Sequence, residues 1–388
     1  MILMRNTRAL LPYLPILMIR VGSGANTFLI SYLSPGNNIM IGLILASYPF
    51  VEALSSFIAG YMADRLGRKL TLILGYTWIL IFMALIYLAI ALLRNPMATA
   101  AFNGAMGFGA ALVLVSTLAM ITDLTEKGYR GLGMGVFDFM NIFGYALGYM
   151  IGSILYQVVR GPIAFIILLI LLVILYAIVL NYIIETKPTI GAVYLNPLRG
   201  VSRKAIPTLP IWFSITMILG AAIYSGRAIG SIKGVMPIHV GALFLGATLV
   251  VGLGSVFFGY VSDRLGRLKT MSIGVIGVSI GLIILTVLLL LGVNPIIAVA
   301  ASAPFIFMAS AVVPSILALT GDEALISMRG SAMGLYSLVL GFGMGLGSIL
   351  GSYSYVKLGL GGIALLALII FIAAFILYAV LRAILFRR

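Results

Sequence analysis

Twelve apolar runs, each closed off by Pro, Gly or a charged residue, divide the chain from end to end. Their spacing predicts helices near 10–33, 38–63, 70–93, 96–122, 131–157 and 161–184, then near 208–232, 236–262, 270–292, 295–320, 330–356 and 360–385. Each run supplies the roughly 20 residues that a helix rising about 1.5 Å per residue needs to cross a hydrocarbon layer of about 30 Å. The one long polar stretch, 185–207, contains Pro188, Pro197, Pro207 and the basic residues Lys187, Arg199, Arg203 and Lys204. It reads as a cytoplasmic linker lying on the anionic inner leaflet between two six-helix halves, 1–184 and 208–388. The pattern predicts an all-α membrane protein with 12 transmembrane helices in two pseudo-symmetric halves.

The two halves repeat each other. Gly60, Asp64, Arg65, Gly67 and Arg68 recur 199 residues later as Gly259, Asp263, Arg264, Gly266 and Arg267. The same offset pairs Asn95-Pro96 with Asn294-Pro295, Asp123 with Asp322, and Arg130 with Arg329. It also pairs Gly144, Gly148 and Gly152 with Gly343, Gly347 and Gly351. One gapless offset maintained over this length marks a duplicated unit. Glycines in the short loops permit tight turns and close helix approach. Asp and Arg at a membrane surface can form charge-assisted bonds with neighbouring helix ends.

Composition sharpens the class. The chain is 63% hydrophobic and 9% charged, with a mean hydropathy of +1.23, whereas soluble domains are about half apolar. A multispan membrane protein follows, with no room for a soluble catalytic domain. The net charge of +15 does not indicate nucleic acid, because the basic residues stand singly or in threes between apolar spans. With the N-terminus inside, 18 Lys and Arg fall on inner loops and tails, and only Arg94, Arg160, Lys233 and Lys357 fall on outer loops. That bias obeys the positive-inside rule and puts both termini in the cytoplasm of a multi-pass cell-membrane protein. The first run, after Arg5 and Arg8, could pass for a signal peptide, but its counterpart in the second half makes it a helix. There is no cysteine, and the lone His239 cannot build a metal site, so neither a metal nor another cofactor is expected.

The run from Gly60 to Lys69 completes the pattern G-x-x-x-D-R-x-G-R-[RK], and Gly259 to Leu268 nearly does. In these residues the chain resembles the major facilitator superfamily over essentially its full length. The resemblance implies two six-helix halves around a central cavity lined mainly by the first, fourth, seventh and tenth helices. It also implies a cytoplasmic latch formed by Asp64, Arg68, Asp123 and Arg130 with Asp263, Arg267, Asp322 and Arg329, closed when the cavity faces outward. In proton-driven exporters of that family the fifth helix carries G-x8-G-x3-G-P-x2-G-G. Here Gly135, Gly144, Gly148, Tyr149, Gly152 and Ser153 stand at the matching places, so the Pro and the last Gly are replaced. The small-residue spacing of this helix equally serves as a packing face. The exporters' arginine on the fourth helix is Asn103 here, so its role in proton handling does not carry over.

Ionisable groups inside spans are costly and functional by default. Arg20 and Glu52 fall near the midplane on adjacent helices, where they can neutralise each other, as a static pair or as a switch that protonation of the carboxylate would open. Asp138 begins a stripe with Asn141, Tyr145 and Tyr149 at helical spacing, facing protein or water, and a fixed helix-helix bond is the alternative reading. Tyr224 and Arg227 form a further stripe, with Arg227 close enough to the outer surface to snorkel. Arg20, Glu52 and Asp138 have Leu219, Val251 and Ser337 at the 199-residue offset. Charges required by the fold repeat; these do not.

These readings converge on a monomeric secondary transporter of a small organic solute, coupled to protons and favouring export. Uptake or facilitated diffusion of a sugar or organic anion anchored by Arg20 is the alternative. A receptor or an intramembrane enzyme is the remaining class, and no nucleophile-base pair or metal-ligand cluster in the spans supports an enzyme.

Overall fold

The computed structural model describes residues 13–125, 129–159, 161–186, 205–232, 234–323 and 329–386. Helix starts follow local chemistry. Asn95 accepts from the backbone N–H groups of Met97 and Ala98 at 2.9 and 3.1 Å, and Pro96 opens the helix α4 (Pro96–Leu124). Its repeat does the same: Asn294 caps Ile296 N at 2.9 Å, and Pro295 opens α10 (Pro295–Ala309). Asn37 caps α2 (Asn38–Leu66) through Met40 N at 2.9 Å. The other described helices are α1 (Leu14–Leu33), α3 (Arg68–Leu88), α5 (Arg130–Val159), α6 (Ile163–Tyr182), α7 (Leu209–Gly230), α8 (Pro237–Leu265), α9 (Arg267–Leu290), α11 (Val312–Glu323) and α12 (Arg329–Phe386).

Three boundaries depart from the pattern in the sequence. The charged hinges are one residue wide: Gly67 and Gly266, at φ of +105° and +94°, alone separate α2 from α3 and α8 from α9. Asp64 and Arg65 are therefore helical, because glycine reverses the chain in a single left-handed step. The tenth predicted span divides into α10 and α11 at Ser310, because Pro314 in the first turn of α11 has no N–H to offer the Ser310 carbonyl four residues back. The last two predicted spans form one helical run, α12, interrupted only at Gly359 with φ of +63°. Taking Pro295–Thr320 across the division at Ser310 as one, the described residues include 11 helices long and apolar enough to cross a membrane, the last of them, α12, carrying two predicted spans. Of the predicted linker 185–207, residues 187–204 lie outside the described residues.

Packing repeats with the sequence. A Cβ on Gly148 would overlap the Val21 carbonyl of α1, and a Cβ on Gly347 would overlap the Met217 carbonyl of α7. The repeated glycines thus bring α5 onto α1 and the first part of α12 onto α7 in the same way, with backbones in contact. Two further seams join the helices before the linker to those after it. Along one, Gly131 and Gly135 of α5 abut Gly259 and Ser255 of α8. Along the other, Gly341 and Gly345 of α12 abut Pro49 and Phe50 of α2. Large apolar side chains such as Leu92, Val158, Ile174 and Leu291 remain exposed on the outside, the surface a lipid environment requires.

Candidate functional site

Beside these seams lies a buried polar core. Arg20 Nη2 of α1 pairs with Glu52 Oε1 of α2 at 3.1 Å, with 4% and 2% of the two side chains exposed. Arg20 Nε donates to Asn141 Oδ1 of α5 at 2.6 Å. Around this trio, Ser23 and Tyr48 share a 2.9 Å bond, Tyr145 donates to Thr27 at 2.8 Å, and Asn26 donates to Asn103 at 3.2 Å. The low dielectric that makes an unpaired charge expensive also strengthens these contacts, so partners must be supplied together.

The pseudo-symmetric positions of Arg20, Glu52, Asn141 and Tyr145 hold Leu219, Val251, Leu340 and Met344. A small central cavity of about 30 Å³ is bounded by Arg20, Asn141 and Tyr145 on one side and by Leu219, Leu340 and Met344 on the other. The site is polar toward α1 and α5 and apolar toward α7 and α12. A larger cavity of about 370 Å³ shares the Leu219, Phe244 and Thr248 wall and extends among α7, α8, α9, α10 and α12. The sequence accounts for this asymmetry. On α4, Gly107 lies so close to the Tyr48 carbonyl of α2 that a Cβ there would overlap it. The counterparts of that pair are Ile306 and Ala247. A branched side chain in place of glycine keeps α10 off α8, and Ile306 and Ala247 both line the space.

Asp138 of α5 faces this larger cavity and is buried. Its Oδ2 accepts a 2.6 Å hydrogen bond from Ser255 Oγ on α8. Among the described residues no Lys or Arg forms an ion pair with it.

Polar bridges cross the molecule at both ends. At the Gly67 and Gly266 end, Asp263 accepts from the backbone N–H groups of Gly131 and Leu132 at 3.0 and 2.9 Å, capping the first turn of α5. Arg267 holds Asp263 at 2.5 Å and Asp322 at 3.1 Å. The first copy reproduces the second arrangement: Arg68 pairs with Asp64 at 3.0 Å and Asp123 at 3.3 Å. The guanidinium groups of Arg65 and Arg264 lie over Tyr61 and Tyr260 of their own helices. Side chains of Arg130 and Arg329 lie outside the described residues. At the opposite end Arg227 of α7 donates through Nη1 to the Ser31 carbonyl of α1. That contact places the guanidinium at the carbonyl terminus of α1, where a cation is favoured.

The family model described as "Major Facilitator Superfamily" matches residues 6–239 and 222–386. The chain belongs to the major facilitator superfamily. Among curated proteins of similar sequence are the mouse (Mus musculus) synaptic vesicular amine transporter, 22% identical over 262 residues, covering 63% of this chain and 48% of that protein. The vesicular acetylcholine transporter unc-17 of Caenorhabditis elegans is 30% identical over 127 residues, covering 32% of this chain and 23% of that protein. The chain thus spans about half the length, or less, of these relatives. Two solved structures share the major facilitator fold. The human organic anion transporter MFSD10 (TETRAN) aligns with a TM-score of 0.77 at 14% identity, over 96% of this chain and 100% of that one. The proton:xylose symporter XylE aligns with a TM-score of 0.72 at 14% identity, over 95% and 93%.

Within this major facilitator fold, the predicted site residues divide. Arg20, Glu52, Asn141 and Tyr145 come together in the polar core, and Asp138 is brought to the neighbouring cavity. Asn103 lies elsewhere: it donates to the Ile44 carbonyl at 2.8 Å and ties α4 to α2. With α4 held there, the fourth helix lines neither cavity among the described residues, unlike the family expectation. Tyr149 is fully buried among Phe28 and Phe244, with ring centroids 4.9 and 4.8 Å away, and Tyr224 packs near Tyr355. Both lie beyond the cavity walls. Sequence reasoning missed Ser255, whose counterpart is Ser56, and Glu185, which accepts from Arg68 N and Lys69 N at 2.9 and 3.1 Å and caps α3. The signal for Glu185 was an acid directly after the sixth span, one helix end away from the Asp-Arg motif.

Proposed function

We propose that the protein is a secondary transporter of the cell membrane that carries a small organic solute by alternating access, coupled to protons and in the direction of export. Its two halves, 1–184 and 208–388, rock about the α5–α8 and α2–α12 seams as a monomer, with both termini and the 185–207 linker in the cytoplasm. The observation that carries the reading is the Asp138–Ser255 bond, because it joins a carboxylate inside one half to a hydroxyl of the other at 2.6 Å. Closing apolar walls on an unpaired carboxylate is costly, so a compensating positive charge, a proton or a substrate cation, favours one arrangement of the halves over the other. Loss of that charge reverses the preference. The Arg20–Glu52–Asn141 trio supplies the second polar element, in which protonation of Glu52 would release Arg20 to the central cavity.

Relatives named as amine transporters, an organic anion transporter and a proton:xylose symporter support an organic solute and, in the last case, proton coupling. Export rests on the Gly135, Gly144, Gly148 and Gly152 register. A second reading, uptake of an organic anion, is supported by Arg20 at the wall of the central cavity. Purified protein in liposomes carrying an internal pH dye, challenged with a solute panel under an imposed gradient, tests the proposal. Solute-dependent proton movement lost in Asp138→Asn or Glu52→Gln is expected. Full gradient-driven flux in both variants would sink proton coupling at these sites. Anion-dependent, pH-independent flux lost in Arg20→Gln would establish the second reading.

A further inference from the structure

The larger cavity has the chemistry to select a charge type. Of the described residues lining it, Asp138 alone carries a charge. Its hydroxyl-bearing wall residues are committed to their own helices: Ser225 donates to the Ala222 carbonyl at 2.6 Å, Thr248 to Phe244 at 2.6 Å and Ser310 to Phe307 at 2.6 Å. The rest of the wall is aliphatic or aromatic, with Leu219, Ala247, Val251 and Ile306 typical of it. With their donors used, these hydroxyls can only accept, so a polyhydroxylated solute would find few partners there and would lose most of its hydration without replacement. An anion would meet a carboxylate. A volume of about 370 Å³ lies within the range of pockets that hold drug-sized molecules, about 300–1,000 Å³.

We infer that the space between α7, α8, α9, α10 and α12 is a binding site for lipophilic organic cations, with Asp138 as counter-ion and the apolar walls taking the body of the ligand. Ser255 occupies one lone pair of Oδ2 and leaves the remaining acceptor sites of the carboxylate for a cationic group. The pseudo-symmetric half cannot form such a site, because Gly107 seats α4 directly on α2 where Ile306 holds α10 away. The inference rests on the transport reading above and names its substrate class.

Tetraphenylphosphonium and tetraphenylborate, nearly identical in shape and opposite in charge, provide the test by equilibrium dialysis against the purified full chain in detergent. The phosphonium should bind saturably and the borate should not. Asp138→Asn should weaken phosphonium binding roughly thirtyfold or more, the loss that accompanies removal of one partner of a buried charge pair. Ala247→Phe, which fills the cavity without touching the charge, should also abolish binding while leaving the melting temperature near that of the unaltered protein. Equal binding of both probes, or unaltered phosphonium binding in either folded variant, overturns the proposal. If Asp138→Asn does not fold, the probe contrast and Ala247→Phe decide alone. Because binding is read without a gradient, transport lost with binding retained would refute the transport reading only. Transport retained without phosphonium binding would refute only this one.

Discussion

Asp138 and Ser255, on helices from opposite halves of the sequence, meet through a 2.6 Å hydrogen bond at the wall of the larger cavity. Neither residue could identify the other in the sequence, being 117 positions apart in unrelated local patterns. Removing the hydroxyl by Ser255→Ala leaves a carboxylate without its donor, and the loss of such a bond to a charged group is worth about 1.5–3 kcal/mol. Gradient-driven solute flux in liposomes is expected to fall in Ser255→Ala and to lose its dependence on the pH gradient in Asp138→Asn. Identical gradient dependence in both variants and the unaltered protein would refute the coupling role.

The Arg20–Glu52 pair is buried, so its members depend on each other more than on the fold. Arg20→Gln or Glu52→Gln alone should lower stability by about 3–5 kcal/mol, because each leaves an uncompensated charge. The double change Arg20→Met with Glu52→Leu should recover much of that loss. Thermal unfolding of the four proteins in one detergent checks this. A double variant no more stable than the worse single variant would contradict it.

Asp263 caps α5 across the molecule, and its two bonds should hold that end together. Asp263→Asn keeps the shape but removes the charge that α5's first turn attracts, a change of about 1 kcal/mol at a helix N-terminus. The chain has no native cysteine, so spin labels at Leu70→Cys and Lys269→Cys report on this end without background. The distance distribution between them should broaden toward longer separations in the Asp263→Asn background. An unchanged distribution would remove Asp263 from any latch.

Gly148 and Gly347 each meet a backbone carbonyl of the facing helix, although one turn apart in register, so substitutions at the two should have similar costs. Gly148→Ala and Gly347→Ala should each destabilise by about 1–3 kcal/mol through overpacking. Gly246, in the middle of α8 with no atom within 4 Å of where a Cβ would stand, should tolerate Ala and gain up to about 1 kcal/mol of helix propensity. Melting temperatures of the three variants measure the contrast. A harmless Gly148→Ala would mean that α1 and α5 are not seated as described.

The succession of spans was legible because a bilayer imposes one strong rule, an apolar run for each crossing, and Asn-Pro and Gly punctuate those runs locally. The Arg68–Asp123 and Arg267–Asp322 pairs were legible for a different reason: two copies of one motif at one offset carry both signs of charge. The single-residue turns at Gly67 and Gly266 were not, since composition there suggests a longer polar loop. Asn103 shows the opposite limit. Its polarity in an apolar helix invites a functional role, yet its neighbours turn it into a tie to the Ile44 carbonyl.

By itself the sequence determined a twelve-span duplicated chain, its charge bias, and the identity of the ionisable groups that do not repeat. Only the tertiary structure decided which of those groups meet and where space is left between helices. Hydropathy and periodicity are properties of single helices, whereas a cavity depends on how closely two backbones approach. Here that approach turned on one pair of counterparts: Gly107 admits the Tyr48 carbonyl, and Ile306 holds its helix away from Ala247.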